Sequence, residues 1–296
     1  MNTLMRMKYQ NKKITFKRIK NKILRTIFND QWSLLVCDKS GNILKEITPP
    51  DDRFYADPFP VEYNGKTYIF IEQQIGHGNG TLGVIELYND LSCSDFYPIL
   101  EKNYHLSFPN IFSVVENNQL TWYMIPETHE NKTIDLYYST DFPFKWELKL
   151  TLKENVIAAD TTLFFHDNLW WLFTSIGDKE KPVNSNLSLF YSDSFKTDKW
   201  KAHPLNPVVS TLNNSRMAGK IFTKDGINYR PSQNCKIDYG KEININKIIT
   251  LSPNEYKEEI IETIYPEKRL HAICTHTINY SENYLLRDIK KRKRRF

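Results

Sequence analysis

The feature that most constrains this chain is a hairpin that returns about every fifty residues. A residue that opens a strand is followed by a tight turn and then by an aromatic that starts the next strand. Asp57 leads to Tyr68 across Asn64-Gly65, Asp160 to Trp171 across Asp167-Asn168, and Ala218 to Tyr229 across Asp225-Gly226. Looser copies run from Phe108 through Asn117-Asn118 to Trp122 and from His276 through Asn283 to Tyr284. Asn-Gly and Asp-Gly between apolar runs specify two-residue hairpins, because both turn positions need positive φ. The aromatics Tyr68, Trp122, Trp171, Tyr229 and Tyr284 lie 49 to 58 residues apart, close to the length of one four-stranded propeller blade. A second strand pair follows the hairpins, as in Ile134–Ser139 then Trp146, and Leu187–Ser192 then Trp200. No segment after residue 30 keeps a 3.6-residue apolar stripe for three turns, and a β-sandwich gives no reason for the spacing. The expected fold is therefore an all-β, five-bladed β-propeller over residues 30–289. The last repeat ends after its inner hairpin, while Trp32–Ile47, turning at Ser40-Gly41, is a hairpin without a blade. Joined together they would close the ring and leave no open sheet edges.

Charge divides the chain along the same lines. Of 296 residues, 40% are apolar and 25% charged, ordinary for a soluble globular domain, with a formal charge of +5. Residues 1–29 hold nine Lys or Arg and residues 290–296 hold six, with no acid in either segment. The body between them is left at about −10. Within 14–28, Phe16, Ile19, Ile23 and Ile27 fall at helical spacing among Lys17, Arg18, Lys20, Lys22 and Arg25, the pattern of a basic amphipathic helix lying on an anionic membrane. The expected organisation is a basic N-terminal segment (1–29), the propeller (30–289) and a basic C-terminal tail (290–296), both ends partnering an anionic membrane surface. Solvated tails are the plainer reading. Nucleic acid is not expected as a partner, since the acidic body would repel its backbone. No apolar run reaches the ~20 residues of a membrane span, and the charged start lacks a signal peptide's apolar stretch. Four scattered cysteines without a CxxC pair suggest reduced thiols. Together these point to a cytoplasmic protein, peripheral at the inner face of the cell membrane.

Positions that vary between similar repeats are candidates for chemistry. The strand-opening residues read Asp57, Asn110, Asp160 and Ala218. Four residues beyond the aromatic stand Glu72, Pro126 with Glu127 beside it, Ser175, Gln233 and Asp288. Carboxylates facing one another in a partly desolvated funnel would split their pKa values, as acid/base work at a glycosidic bond requires. Asp57, Asp160 and Glu127 are the catalytic candidates. Glu72, Asn110, Arg216, Lys220, Arg230, Gln233, His276 and Asp288 are the substrate-binding ones, the cations suited to an anionic sugar or a diphosphate. The competing readings are that the acids satisfy backbone groups at blade tops and that the cations pair with the acidic body. No cofactor and no metal are expected. His271, Cys274 and His276 do not converge, since 274 and 276 share a strand face and 271 opposes them. The Gly-rich loop around His77 precedes a strand and not a phosphate-binding helix N-terminus. No DxD triplet supports a metal-dependent nucleotide-sugar site.

Asp57-Pro58 with Asn64-Gly65 and Tyr68 resembles the first blade of glycoside hydrolase family forty-three, and Asp160-Thr-Thr-Leu-Phe164 a later-blade aspartate of that clan. The fourth blade departs from it: Arg216-Met217-Ala218-Gly219-Lys220-Ile221-Phe222 stands where a hydrolase would carry its acidic Glu. A closer resemblance covers most of residues 50–288. It rests on Arg216–Phe222, Asp225-Gly226, Tyr229-Arg230-Pro231-Ser232-Gln233, Tyr239-Gly240, Leu251 and Tyr256-x-Glu258. Phe108-Pro109-Asn110, Pro126-Glu127-Thr128 and His276-Thr277 add to it. These resemble the propeller family at the N-terminus of plant glucosamine inositolphosphorylceramide transferases, with bacterial relatives in polysaccharide pathways. The resemblance implies a five-bladed propeller and sugar-related work: a glycosyltransferase-like enzyme of lipopolysaccharide or capsule assembly, with a sugar or lipid-linked glycan as substrate and a nucleotide sugar as candidate donor. A family forty-three-type hydrolase and a non-catalytic glycan-binding or scaffold propeller are the alternatives.

Overall fold

Strands begin wherever the alternating apolar runs begin, and they stop at the Gly, Asn and Asp turns between them. The structure is a computed structural model that describes residues 28–178 and 182–294. The first hairpin is β1 (Phe28–Cys37) and β2 (Ile43–Ile47). Blade one is β3 (Arg53–Tyr63), β4 (Lys66–Ile75), β5 (Gly80–Leu87) and β6 (Tyr97–Leu100). Blade two is β7 (Ser107–Glu116), β8 (Gln119–Glu127), β9 (Thr133–Asp141) and β10 (Lys145–Glu154). Blade three is β11 (Ile157–His166), β12 (Leu169–Gly177), β13 (Leu187–Ser192) and β14 (Lys201–Ala202). Blade four is β15 (Phe222–Lys224), β16 (Ile227–Asn234), β17 (Glu242–Leu251) and β18 (Tyr256–Ile264). Blade five holds β19 (Ala272–Cys274), β20 (Ile278–Tyr280) and β21 (Leu285–Arg294). Asn64, Asp167, Asn168 and Asp225 all take the positive φ that their hairpins demand.

The fifth blade is completed by the first hairpin, in the order β19-β21-β1-β2 with β20 also on β21. Ten residue pairs join β1 to β21, from Phe28↔Arg294 to Cys37↔Leu285. Closure is driven by both faces of β1, as the two-residue period dictates. Leu34 and Val36 pack with Ile69, Ile71 and Leu286 toward blade one. Leu35 and Cys37 pack with Ile243, Ile245 and Ile289 toward blade four. All four β1 side chains are fully buried, and each aliphatic one contributes roughly 1.5–3 kcal/mol. The ion pairs along the same seam, Arg292–Asp30 and Lys293–Asp51, are exposed and contribute ~1 kcal/mol at most. Apolar burial therefore holds the ring shut, and charge only tidies its rim.

Two boundaries differ from the sequence reading. Lys290–Arg294 is the end of strand β21 and not a tail, because β1 offers a ladder partner to residue 294 and Glu46, Asp30 and Asp51 meet Lys291, Arg292 and Lys293. The amphipathic pattern of 14–28 lies outside the described residues up to residue 27, and Phe28 opens β1. Leu34→Ala is expected to cost 2–5 kcal/mol in urea denaturation, against less than ~0.5 kcal/mol for the exposed Leu44→Ala; equal costs would contradict closure through the buried faces of β1.

Candidate active site

The site begins with a repeated flaw in the inner strands. Pairing with the second strand breaks register between Ala56 and Phe59 in β3, Ser107 and Asn110 in β7, and Ala159 and Thr162 in β11. The first residue inside each bulge has positive φ: Asp57 at 52°, Phe108 at 46° and Asp160 at 52°. Such a conformation costs about 1–3 kcal/mol outside glycine. In every case a carboxylate from the preceding blade accepts the bulge N–H. Asp288 Oδ2 takes Asp57 N at 3.2 Å, Asp57 Oδ2 takes Phe108 N at 3.1 Å, and Glu127 Oε2 takes Asp160 N at 3.1 Å. A hydrogen bond to a charged group contributes about 1.5–3 kcal/mol, enough to offset the strain. The register also corrects the repeat alignment. Phe108, and not Asn110, is the counterpart of Asp57 and Asp160. Glu127, and not Pro126, matches Glu72, each facing the residue before its bulge.

These strands surround a pocket of about 260 Å³. Asp57, Glu72 and Glu127 supply its acids; Arg216 supplies a guanidinium and His105, His129 and His276 three imidazoles; Trp32, Phe54 and Tyr239 supply aromatic walls. Arg216 Nε lies 2.5 Å from Asp160 Oδ2, while one terminal nitrogen reaches Glu127 Oε2 at 3.0 Å and Asp160 Oδ1 at 3.2 Å. The other donates to Asn184 Oδ1 at 2.7 Å, and the guanidinium lies 5.1 Å from the Tyr239 ring centre. Burial would raise Glu127, but Arg216 and the His129 imidazole 2.7 Å away overcome it and hold this carboxyl down to about 2. Burial and the neighbouring Glu127 charge push Asp160 up, so the two acids titrate as one unit around Arg216.

On the opposite side, His276 stacks on Trp32 at 4.1 Å, with Nδ1 2.6 Å from Asp288 Oδ2 and Nε2 3.7 Å from Asp57 Oδ1. The 2.6 Å contact is off the N–H axis, a charge contact and not an aligned hydrogen bond. Burial disfavours the imidazolium, yet Asp288 and Asp57 raise His276 to about 9. Burial pushes Asp57 up against the pull of His276. Asp57, His276 and Asp288 bring three ligand-type atoms within 4.8 Å of one another. Their carboxylates already serve other donors: Asp288 accepts the N–H groups of Asp57, His276 and Thr277, and Asp57 Oδ1 accepts the Thr277 hydroxyl at 2.5 Å.

Of the sequence candidates, Asp57, Glu72, Glu127, Arg216 and His276 meet in the pocket. The others stand behind it or elsewhere. Asp160 and Gln233 hold each other and Arg216, and Asp288 caps backbone. The Asn110 amide donates to Thr161 O, tying blade two to blade three. Arg230 is wholly buried and bidentate to Glu258, with Asn214 O as a further acceptor; it is a core ion pair and does not reach the pocket. Lys220, lowered to about 8 by burial, lies 5.9 Å from the Phe59 ring centre and also lines no part of it. Reasoning from sequence missed Trp32, Phe54, His105, His129 and Tyr239. The two histidines had a faint signal, lying two residues either side of the Ser107–Glu127 hairpin ends.

Comparison with known proteins places the geometry in context. The family described as "Glucosamine inositolphosphorylceramide transferase 1, N-terminal" matches residues 35–273. Glucosamine inositolphosphorylceramide transferase 1 of Oryza sativa subsp. japonica is 33% identical over 210 residues, and that of Arabidopsis thaliana 32% over 222. Each alignment covers 69% of this chain, which spans only 27% of those curated relatives. Among solved structures, Zg3597, a family 117 glycoside hydrolase of Zobellia galactanivorans, superposes with TM-score 0.55 at 11% identity over 90% of this chain and 91% of its own. The GH43 β-1,3-galactosidase BT3683 gives 0.52 at 13% over 83% and 85%. At such identities the structures speak for the shared fold alone.

Two outcomes follow from the ion grid. Arg216→Met leaves Glu127 and Asp160 buried without their cation and is expected to cost about 3–5 kcal/mol, read by urea denaturation; a loss below ~1 kcal/mol would contradict the grid. His276, raised from 6.5 to about 9, contributes stability that is complete below pH ~6.5 and lost as pH rises through 9. Between pH 6 and 10 the wild type should lose roughly 3 kcal/mol more than His276→Asn.

Proposed function

The chain belongs to the family of the glucosamine inositolphosphorylceramide transferase N-terminal domain, and on that premise we propose a glycosyltransferase-like enzyme of bacterial surface polysaccharide assembly, lipopolysaccharide or capsule. The observation that carries this reading is the axial pocket, where buried carboxylates face aromatic walls. Sugar hydroxyls need acceptors such as Asp57 and Glu72, and the apolar face of a sugar ring suits Trp32, Phe54 and Tyr239. Asp57, with Glu127 across the pocket, orients the sugar, while Asp160 acts from behind through Arg216. All the Arg216 nitrogens are engaged by protein acceptors, so a donor's diphosphate would be held elsewhere. A hydrolase of the family forty-three type is less well supported, because blade four brings Arg216 and Tyr239 to the pocket but no carboxylate.

The acceptor is proposed to be lipid-linked and the protein to work peripherally on the cytoplasmic membrane face. Residues 1–27 hold nine basic residues and the apolar set Phe16, Ile19, Ile23 and Ile27. At about 1 kcal/mol per engaged cation, reversible attachment needs only part of that set. The C-terminal run contributes less, since Lys291, Arg292 and Lys293 already have acidic partners.

Asp57→Asn is expected to lower turnover of nucleotide sugars by at least ~10-fold; full activity in this variant would remove Asp57 from the site's work. Saturable sugar binding without turnover on any donor would favour the glycan-binding alternative. Protein lacking residues 1–27 should stop floating with anionic liposomes, and undiminished flotation would end the membrane reading.

A further inference from the structure

Glu72, Glu127 and Asp288 occupy corresponding places on the second strands of blades one, two and five. Two of them are consumed by the architecture. Glu127 caps the Asp160 bulge and Asp288 caps the Asp57 bulge. Glu72 would be expected to cap Phe108 N, but Asp57 Oδ2 already does so. The third acid is thereby released from structural duty. Its side chain is only 6% exposed, yet it lines the pocket, and its buried Oε1 has no aligned hydrogen-bond donor. A carboxylate oxygen kept out of water without a donor is a costly arrangement, and it makes the whole carboxyl group readier to take a proton.

The nearest group is His105, whose Nε2 lies 3.1 Å from Glu72 Oε1. On the far side of that ring, Nδ1 accepts the Gly80 N–H at 3.0 Å. An imidazole nitrogen that accepts a backbone N–H carries no proton, so the proton of His105 sits on Nε2, close to Glu72 but off the hydrogen-bond axis, and the neighbouring Glu72 raises the pKa of this imidazole. Glu130 fixes the loop by accepting His105 N at 3.0 Å. Gly80 is required here, since a Cβ would lie 2.8 Å from Glu72 Oε1 and 2.3 Å from Leu106 O.

We propose that Glu72, with His105 in charge contact beside it, is the group that takes the proton from the attacking hydroxyl in this pocket, while Asp57 serves to position. This deepens the reading above and rests on it. The hydroxyl oxygen of the acceptor, or of water in its absence, bonds to the anomeric carbon of an activated donor. Its proton passes to the Glu72 carboxylate. The bond from the anomeric carbon to the leaving group breaks, and its electron pair departs with a nucleoside phosphate or an aryl oxide. Neither leaving group needs a proton. Burial raises Glu72 to about 7, with His105 opposing and the Asp57 charge adding to the rise. The other charge that reaches it is His276, which opposes. The carboxylate is thus a base matched to neutral pH.

The test uses the full chain with two donor panels, nucleotide sugars and 4-nitrophenyl glycosides, following release of nucleoside phosphate or nitrophenolate from pH 5 to 9. The wild-type rate should fall as pH drops through about 7. Glu72→Gln, which keeps the shape of the side chain, should lose ~100-fold or more and the pH limb with it. His105→Asn should move the limb, and Asp57→Asn should slow the reaction and shift the limb toward lower pH without abolishing it, since the Asp57 charge adds to the rise of Glu72. Thermal unfolding of each variant separates misfolding from lost chemistry. An active wild type whose rate and limb survive in Glu72→Gln overturns the role, as does a limb that vanishes in Asp57→Asn instead. Activity on aryl glycosides alone would refute the transferase reading while upholding Glu72. A wild type silent on both panels overturns both.

Discussion

A carboxylate reaching from one blade to a strained backbone N–H of the next is the interaction on which this propeller's centre depends. Without it, a positive φ at Asp57, Phe108 and Asp160 would be three separate costs. With it, Asp288, Asp57 and Glu127 tie blade five to one, one to two, and two to three. The same groups that hold the ring together therefore stand around its axis. A pocket rich in buried acids is a by-product of closing the ring in this way, and a residue left over from the pattern is available for chemistry.

Buried charge is expensive, and the molecule handles it in two ways. In the Arg216 grid and in the Arg230–Glu258 pair every guanidinium nitrogen finds an acceptor, so desolvation is offset by close, multiple hydrogen bonds. At Glu72 it is offset only in part, and the carboxyl responds by titrating near neutrality. Fully paired charges make a scaffold; a partly paired charge makes a site. The distinction separates Arg230, which charge alone would nominate for ligand binding, from Glu72, which charge alone would not single out.

Much of the architecture was legible before any coordinates. Turn pairs such as Asn64-Gly65 act locally, and the aromatic period reflects the length of one blade, so both survive in the linear sequence. The unpaired hairpin at Trp32–Ile47 announced the closure for the same reason. The site was only partly legible. Asp57, Glu72, Glu127, Arg216 and His276 lay at repeat positions or in motifs. The alignment of blade two slipped because Phe108 to Trp122 is longer than its counterparts, and only the hydrogen-bond register shows where the bulge falls. His105, Tyr239 and Trp32 belong to no repeat position and enter the pocket from connecting loops and the closing strand.

The sequence by itself determined the number of blades, their turns, the closing hairpin and the acidic character of the ring, because each rests on spacing or on residues a few positions apart. The tertiary structure alone decided which charges were free. Arg216 meets Glu127 89 residues away, and Lys290–Arg294 becomes a strand because β1, from the other end of the chain, lies beside it. Whether an ionisable side chain is a clamp, a cap or a base depends on what folding places within 3 Å of it, and no period in the sequence encodes that distance.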